Sequence, residues 1–282
     1  MHILLCVDKG AASTPAIGYC EFVSRIVRAE ITVLEAQCPA TAQLSNENRA
    51  ENLCARLTNE GLSCHLLSRD ATPRLALLEQ IGQDDYDIVI MGLLTRGRRF
   101  RRWLRGPSTR RILQKLEIPM LVVPAERRQI KRVLLCSGEL WYPTELIDLM
   151  LKIVVPAEAE VTLLYVVPDP PLNYPMMEKF ETSWGVLMEK DAPQVEFIKE
   201  SRDVIEAAGI DTRVQIRHGD VSKEIMEEIL IGEYDLVVMG STYSSQSLYR
   251  LFNRSITDHV VEHAQRPVLV VRHTASDRDK DR

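Results

Sequence analysis

Apolar residues fall along this chain in short unbroken runs. His2-Ile-Leu-Leu-Cys-Val7, Ile31-Thr-Val-Leu34, Cys64-His-Leu-Leu67, Tyr86-Asp-Ile-Val-Ile-Met-Gly92 and Pro119-Met-Leu-Val-Val123 follow one another in the first half. Runs of this length without polar alternation read as strands buried on both faces, the kind found in parallel sheets covered by helices. Between them the spacing turns helical. Ser13 or Thr14 offers an N-cap with Pro15 just inside, and Ile17, Cys20, Phe22, Val23, Ile26 and Val27 form one apolar stripe. Residues from about 45 to 60 predict a second, amphipathic helix ended by Gly61, and Pro73 to Gly82 predicts a third. A further helix start precedes the strand at 119–123. Alternation of this kind calls for right-handed crossovers and a parallel sheet, so the first half reads as one doubly wound unit of five strands and four helices.

The pattern then restarts. Tyr86-Asp-Ile-Val-Ile-Met-Gly92 returns as Tyr234-Asp-Leu-Val-Val-Met-Gly240, and Pro119-Met-Leu-Val-Val123 as Pro267-Val-Leu-Val-Val271, both 148 positions later. Val133-Leu-Leu-Cys136 and Val161-Thr-Leu-Leu164 repeat Ile3-Leu-Leu-Cys6 and Ile31-Thr-Val-Leu34 at an offset of 130. The second half has therefore gained 18 residues between its second and third strands. One ancestral unit is duplicated, with units expected at 1–125 and 130–273 around the polar linker Glu126-Arg-Arg-Gln129. The insertion, about 168–189, begins Pro168-Asp-Pro-Pro-Leu-Asn-Tyr-Pro-Met-Met177, where four prolines exclude regular structure. Leu172, Tyr174, Met176, Met177, Phe180 and Trp184 make it a lid, an interface arm or a loop packed on its own unit. The tail 274–282 is polar and expected to be disordered.

Composition fits two ordinary globular units. The chain has 282 residues, 45% hydrophobic and 27% charged, with a net charge of −5 that disfavours nucleic acid as a partner. No run is long enough for a membrane span and the N-terminus enters a strand directly, so the expectation is cytoplasmic. The six cysteines, at 6, 20, 38, 54, 64 and 136, show no CxxC pair or metal-finger spacing. They read as small hydrophobes in a reducing compartment, with no redox role.

Both copies of the run at 86–92 and 234–240 stop at a glycine, which lets backbone approach a ligand at the strand's carboxyl end, where open α/β sheets bind. Taken together, Val7-Asp8, Asp235-Leu-Val-Val-Met-Gly-Ser241 and Ser255-Ile-Thr-Asp-His-Val-Val-Glu-His-Ala-Gln-Arg-Pro-Val-Leu-Val-Val-Arg272 resemble the universal stress protein (UspA-type) family, in a tandem two-domain form. The resemblance implies two Rossmann-like α/β units of the adenine nucleotide alpha hydrolase-like kind, each a five-stranded parallel sheet flanked by helices. It also implies pairing of the units through the strands at 119–123 and 267–271, which would cover exposed sheet edges. In nucleotide-binding members the strand-one aspartate lies near the adenine, and a Gly-x2-Gly-x9-Gly-Ser/Thr loop holds ribose and phosphates through backbone amides and a helix N-terminus.

The candidate nucleotide set carried over from the resemblance is Asp8, Gly92, Thr95, Gly97, Gly106, Ser108 and Thr109. Thr95 stands at the second glycine's place, and Gly106 fits the third if one residue is inserted. The second set, Gly138, Gly240, Ser241, Arg254, Ser255 and Thr257, is degenerate. Gly138 replaces the aspartate, Tyr243 the second glycine and Arg254 the third. ATP is thus a candidate ligand of the first unit, and Mg²⁺ is expected only with it. Arg96, Arg98, Arg99, Arg101, Arg102, Arg105, Arg110 and Arg111 fall within sixteen residues of the same loop, with Trp103 among them. They read either as a solvated basic loop or as contacts for phosphate or an acidic partner.

His259-Val-Val-Glu-His263 fits a two-histidine metal motif without a third ligand, and a structural role is favoured. No nucleophile–base pair stands at a recognisable spacing, so catalysis is not expected beyond the slow ATP hydrolysis that family precedent allows. The functional expectation is a non-enzymatic stress-response or regulatory protein with adenine-nucleotide binding in the first unit. The alternative is a scaffold that binds no nucleotide and works through protein contacts with an unknown partner, or as a homodimer.

Overall fold

The computed structural model describes residues 1–8, 14–36, 48–92, 118–137, 144–168, 193–242 and 256–273. Contacts divide the chain into a first unit, residues 1–129 with the stretch from Gln265 onward, and a second unit, Ile130–Ala264.

In the first unit, β1 (His2–Asp8), β2 (Glu30–Ala36), β3 (Cys64–Arg69), β4 (Ile88–Gly92) and β5 (Met120–Val123) pair in the order β3-β2-β1-β4-β5. All four pairings among them are parallel. The central strands are buried on both faces, as their unbroken apolar runs require: Ile3, Leu4, Leu5, Ile88, Val89 and Ile90 expose nothing. The outer strand β3 instead alternates between half-buried and exposed positions. Three helices, α1 (Thr14–Val27), α2 (Arg49–Asn59) and α3 (Pro73–Ile81), pack on this sheet. α1 buries Ala16, Ile17, Cys20, Val23 and Ser24, one stripe at helical spacing. α2 turns into β3 through Gly61 at φ +80, a left-handed position that glycine takes without the Cβ penalty. The helix expected before the strand at 119–123 lies outside the described residues.

The second unit repeats the plan. Its strands β6 (Arg132–Ser137), β7 (Glu160–Pro168), β8 (Thr212–Gly219) and β9 (Leu236–Thr242) pair in the order β9-β6-β7-β8, all parallel. Helices α4 (Thr144–Ala157), α5 (Pro193–Ala207), α6 (Val221–Gly232) and α7 (Ile256–His263) accompany them. Gly209 at φ +82 stands 148 positions after Gly61 and makes the same turn from helix to strand. The final strand, β10 (Val268–His273), groups with the first unit, where it runs antiparallel to β5 with Val268 beside Val122 and Val270 beside Met120. A short apolar strand covers the edge that β5 would otherwise present. Among the described residues no helix is long and apolar enough to cross a membrane. The proline-rich insertion, apart from its first residue, and the tail 274–282 lie outside the described residues.

Candidate functional site

The strand order fixes where a ligand can enter. From β1 the first unit winds outward to β2 and β3, and then crosses back to place β4 on β1's other side. The carboxyl ends of β1 and β4 are therefore the switch point, the place at which open α/β sheets bind ligands. Cys6 pairs with Met91, so Asp8, two residues on, ends β1 one residue beyond the level of Gly92. On their far sides Asp8 pairs with Ala36 and the buried Gly92 with Val123. The structure thus brings two sequence-predicted residues, Asp8 and Gly92, to adjacent strand ends. Thr95, Gly97, Gly106, Ser108, Thr109, the arginine run and Trp103 lie outside the described residues.

The second unit has the same switch point between β6 and β9. Cys136 pairs with Met239, which sets Ser137 level with Gly240, and Ser241 follows on β9. Thr257 is in the first turn of α7 and half-buried. Gly138, Arg254 and Ser255 lie outside the described residues.

One residue at this end of the first unit carries no motif. Arg49, in the first turn of α2, donates from Nη1 to Thr14 Oγ1 at 2.5 Å, tying together the N-termini of the two helices that follow β1 and β2. A single arginine after an asparagine gives no sequence signal for this. Its role follows from two helix starts lying side by side.

The polar head of the repeated run serves the opposite end of the sheet. β4 begins at Ile88, so Tyr86 and Asp87 precede it rather than belong to it. The Asp87 carboxylate accepts the His2 amide at 2.7 Å, while the Asp87 amide donates to the His2 carbonyl at 2.9 Å. In the second unit Asp235, only 2% exposed, accepts the amides of Lys131 at 2.9 Å and Arg132 at 3.2 Å. Tyr86 is buried, with Gln80 Nε2 donating to its hydroxyl at 2.9 Å. Tyr234 donates to Glu228 Oε1 at 2.8 Å. The Tyr-Asp pair is thus a clasp on the amino end of the central strand, and the run's terminal glycine is the part at the carboxyl edge.

Around these clasps the repeats use different chemistry. Arg69 bonds the neutral Gln80 and Gln83, at 3.2 and 2.8 Å. Its counterpart Arg217 bonds Glu224, Glu228 and Glu227 at 2.7, 3.1 and 2.8 Å. Burial lowers the Arg217 pKa, but the glutamates, Glu224 first, outweigh it and hold the guanidinium charged. Burial pushes Tyr234 up to about 12, with its bond to Glu228 adding to the rise. A second network joins α1 to α2. Arg56 grips Glu21 through two bonds of 2.9 and 3.0 Å and holds its carboxyl below the usual carboxylate range. Arg25 grips Glu60 through two bonds of 2.6 Å and also reaches Glu21 at 2.9 Å. A cavity of about 410 Å³ lies beside this network, lined by Arg28, Glu30 and Ser63 among others. Glu30 begins β2, so this cavity is at the end of the sheet away from Asp8.

The cysteine expectation needs correction. Cys54 on α2 and Cys64 at the start of β3 are disulfide-bonded, with Cα atoms 5.1 Å apart, and both are half-buried. Cys6, Cys20 and Cys136 are buried and take part in no disulfide. Burial pushes Cys20 and Cys136 up to about 12. His259 and His263 stack at 4.4 Å on α7, and the His263 Nδ1 lies 2.9 Å from the His259 carbonyl. Among the described residues no group of three or more metal-ligating side chains converges.

Fold and strand ends define a duplicated, doubly wound α/β protein with a switch point in each repeat. The chain belongs to the universal stress protein family, whose profile matches residues 1–124 and again 130–272. Over 118 residues it is 32% identical to a universal stress protein of Methanocaldococcus jannaschii, a stretch that is 41% of this chain and 66% of that protein. Its fold is similar to that of a universal stress protein from Archaeoglobus fulgidus, with a TM-score of 0.62 at 16% identity over 96% of this chain and 98% of the other. A functionally unknown protein from Pseudomonas aeruginosa is similar with a TM-score of 0.67 at 13% identity, over 96% and 92% of the two chains.

Proposed function

We propose that this protein is a non-enzymatic regulatory or protective protein whose first unit binds an adenine nucleotide at the carboxyl ends of β1 and β4. The observation that carries the reading is the position of Asp8 and Gly92 on neighbouring strands at the switch point. A carboxylate there suits the exocyclic amine of adenine, which donates hydrogen bonds, and a glycine beside it admits backbone close to ribose and phosphate. The segment from Thr95 to Thr109 is the candidate for the phosphate side, because glycines in such a loop let backbone amides reach a phosphate. Mg²⁺, where present, enters with the phosphates. The second unit lacks the aspartate, since its first strand is followed by Gly138, and serves as a degenerate partner.

Calorimetric titration of ATP into the purified chain, with Asp8→Ala and Gly106→Glu as variants, tests this. The expected result is saturable binding near one equivalent that both variants lose. No heat at millimolar ATP, with no nucleotide co-purifying, sinks the reading and leaves a scaffold that acts through protein contacts.

A further inference from the structure

We propose that Cys54 and Cys64 form a redox-modification site, a dithiol that low-molecular-weight disulfides of the glutathione class oxidise and the matching thiols reduce. Four observations carry this. The Cα separation of 5.1 Å is inside the span a disulfide bridges without backbone movement, so bond and dithiol share one backbone. Both cysteines are half-buried, one on a surface helix and one on the outer strand β3, whereas Cys6, Cys20 and Cys136 are buried in the core. An attacking small disulfide therefore reaches this pair and not those three. The helix does not depend on the bond for its seat, because Leu53 and Leu57 are fully buried beneath it and the Leu62 amide closes the turn on the Leu57 carbonyl at 2.9 Å. Reduction accordingly leaves α2 docked and changes only the covalent tie across the turn that carries Glu60, the partner of Arg25.

The chemistry balances in two exchanges. One cysteine thiolate attacks a sulfur of the small disulfide, forming a mixed disulfide and expelling one small thiolate. The second cysteine thiolate attacks the protein-side sulfur, forming the Cys54–Cys64 bond and expelling the other. The protein loses two electrons and two protons, and the small disulfide gains both to become two thiols.

The test uses the full chain equilibrated at graded ratios of reduced to oxidised glutathione, acid-quenched, alkylated with N-ethylmaleimide and mapped by peptide mass spectrometry. The expected result is a Cys54–Cys64 cross-linked peptide that passes from nearly absent to nearly complete across the series, while Cys6, Cys20 and Cys136 take no glutathione. In Cys54→Ser, with unchanged circular dichroism, oxidised glutathione is expected to leave one glutathione on Cys64, the trapped first exchange. The proposal is overturned by a pair that stays a dithiol in oxidised glutathione alone, by a bond that survives a large excess of reduced glutathione, by cross-linking to Cys38 instead, or by a folded Cys54→Ser chain that takes no glutathione.

Discussion

Removing the carboxylate of Asp235 is the sharpest test of the clasp. Asp235 is 2% exposed and its Oδ2 accepts two backbone amides, Lys131 at 2.9 Å and Arg132 at 3.2 Å. Asp87, its counterpart, is exposed and accepts the His2 amide at 2.7 Å. A hydrogen bond to a charged group contributes about 1.5–3 kcal/mol when buried, and an exposed one toward about 0.5–1 kcal/mol because water replaces it. Asp235→Ala strands two amides at the start of β6, and water entering the space left by the side chain recovers part of one. The expected cost is about 3 kcal/mol to the second unit, against about 1 kcal/mol or less to the first for Asp87→Ala. With a urea dependence of about 2 kcal/mol per molar for units of this size, the second unit's midpoint falls by ~1.5 M and the first unit's by less than ~0.5 M.

Urea unfolding followed by circular dichroism reads the midpoints, and hydrogen exchange at the Lys131 and Arg132 amides assigns the transition to the second unit. Asp235→Asn, which keeps an acceptor but not the charge, should fall between parent and alanine. An Asp87→Ala shift as large as that of Asp235→Ala, or an Asp235→Ala midpoint within ~0.2 M of the parent, refutes the reasoning, because burial and bond number would then not govern the clasp.

Two further outcomes follow from the ionisable groups. Arg56 and Arg25 hold Glu21 ionised below its ordinary value of 4.5. A depressed carboxylate adds stability that is complete above the unfolded pKa and disappears as pH falls through the folded one. Acid titration of the parent should therefore loosen the α1–α2 contact below about pH 4.5, and Glu21→Gln should lower stability at pH 7 while flattening that acid limb. A Gln variant with the parent's pH profile shows that the network adds nothing. Cys20 and Cys136, with thiols at about 12, carry almost no thiolate at pH 8, so iodoacetamide should label them at least ~100-fold faster in denaturant than in buffer. Equal rates would mean that β6 or α1 opens far more often than a buried core allows.

The fold was largely legible because its signal is long and redundant. Buried parallel strands need unbroken apolar runs, and the duplication wrote each run twice. The misreadings share one cause, since a linear pattern does not say which end of an element faces what. Tyr86 and Asp87 abut an apolar run and read as its first residues, although an aspartate that accepts the neighbouring strand's amides must sit just outside the ladder. Cys54 and Cys64 are separated by 10 positions, a spacing that means nothing until a helix, a glycine turn and a strand fold them together. The pairing of β10 with β5, by contrast, is the one the family resemblance implies, and the contacts add only that it is antiparallel.

Comparing the repeats separates structural from functional demands without reference to any other protein. Every device at the amino edge occurs twice. The Tyr-Asp clasp occurs at 86–87 and 234–235, and the helix-to-strand glycine at 61 and 209. A sheet of this topology requires them whatever it binds, and where they vary, as from Gln80 to Glu228, the replacement still bonds its tyrosine. At the carboxyl edge the repeats part company. β1 ends in Asp8, whereas Gly138 follows β6, and the loop after β4 carries Thr95 and Gly106 where the one after β9 carries Tyr243 and Arg254. If the carboxyl edge served only the fold, it should have stayed as alike as the amino edge. Divergence at the switch point is the pattern expected if the ligand proposed above is held by one repeat and not by both.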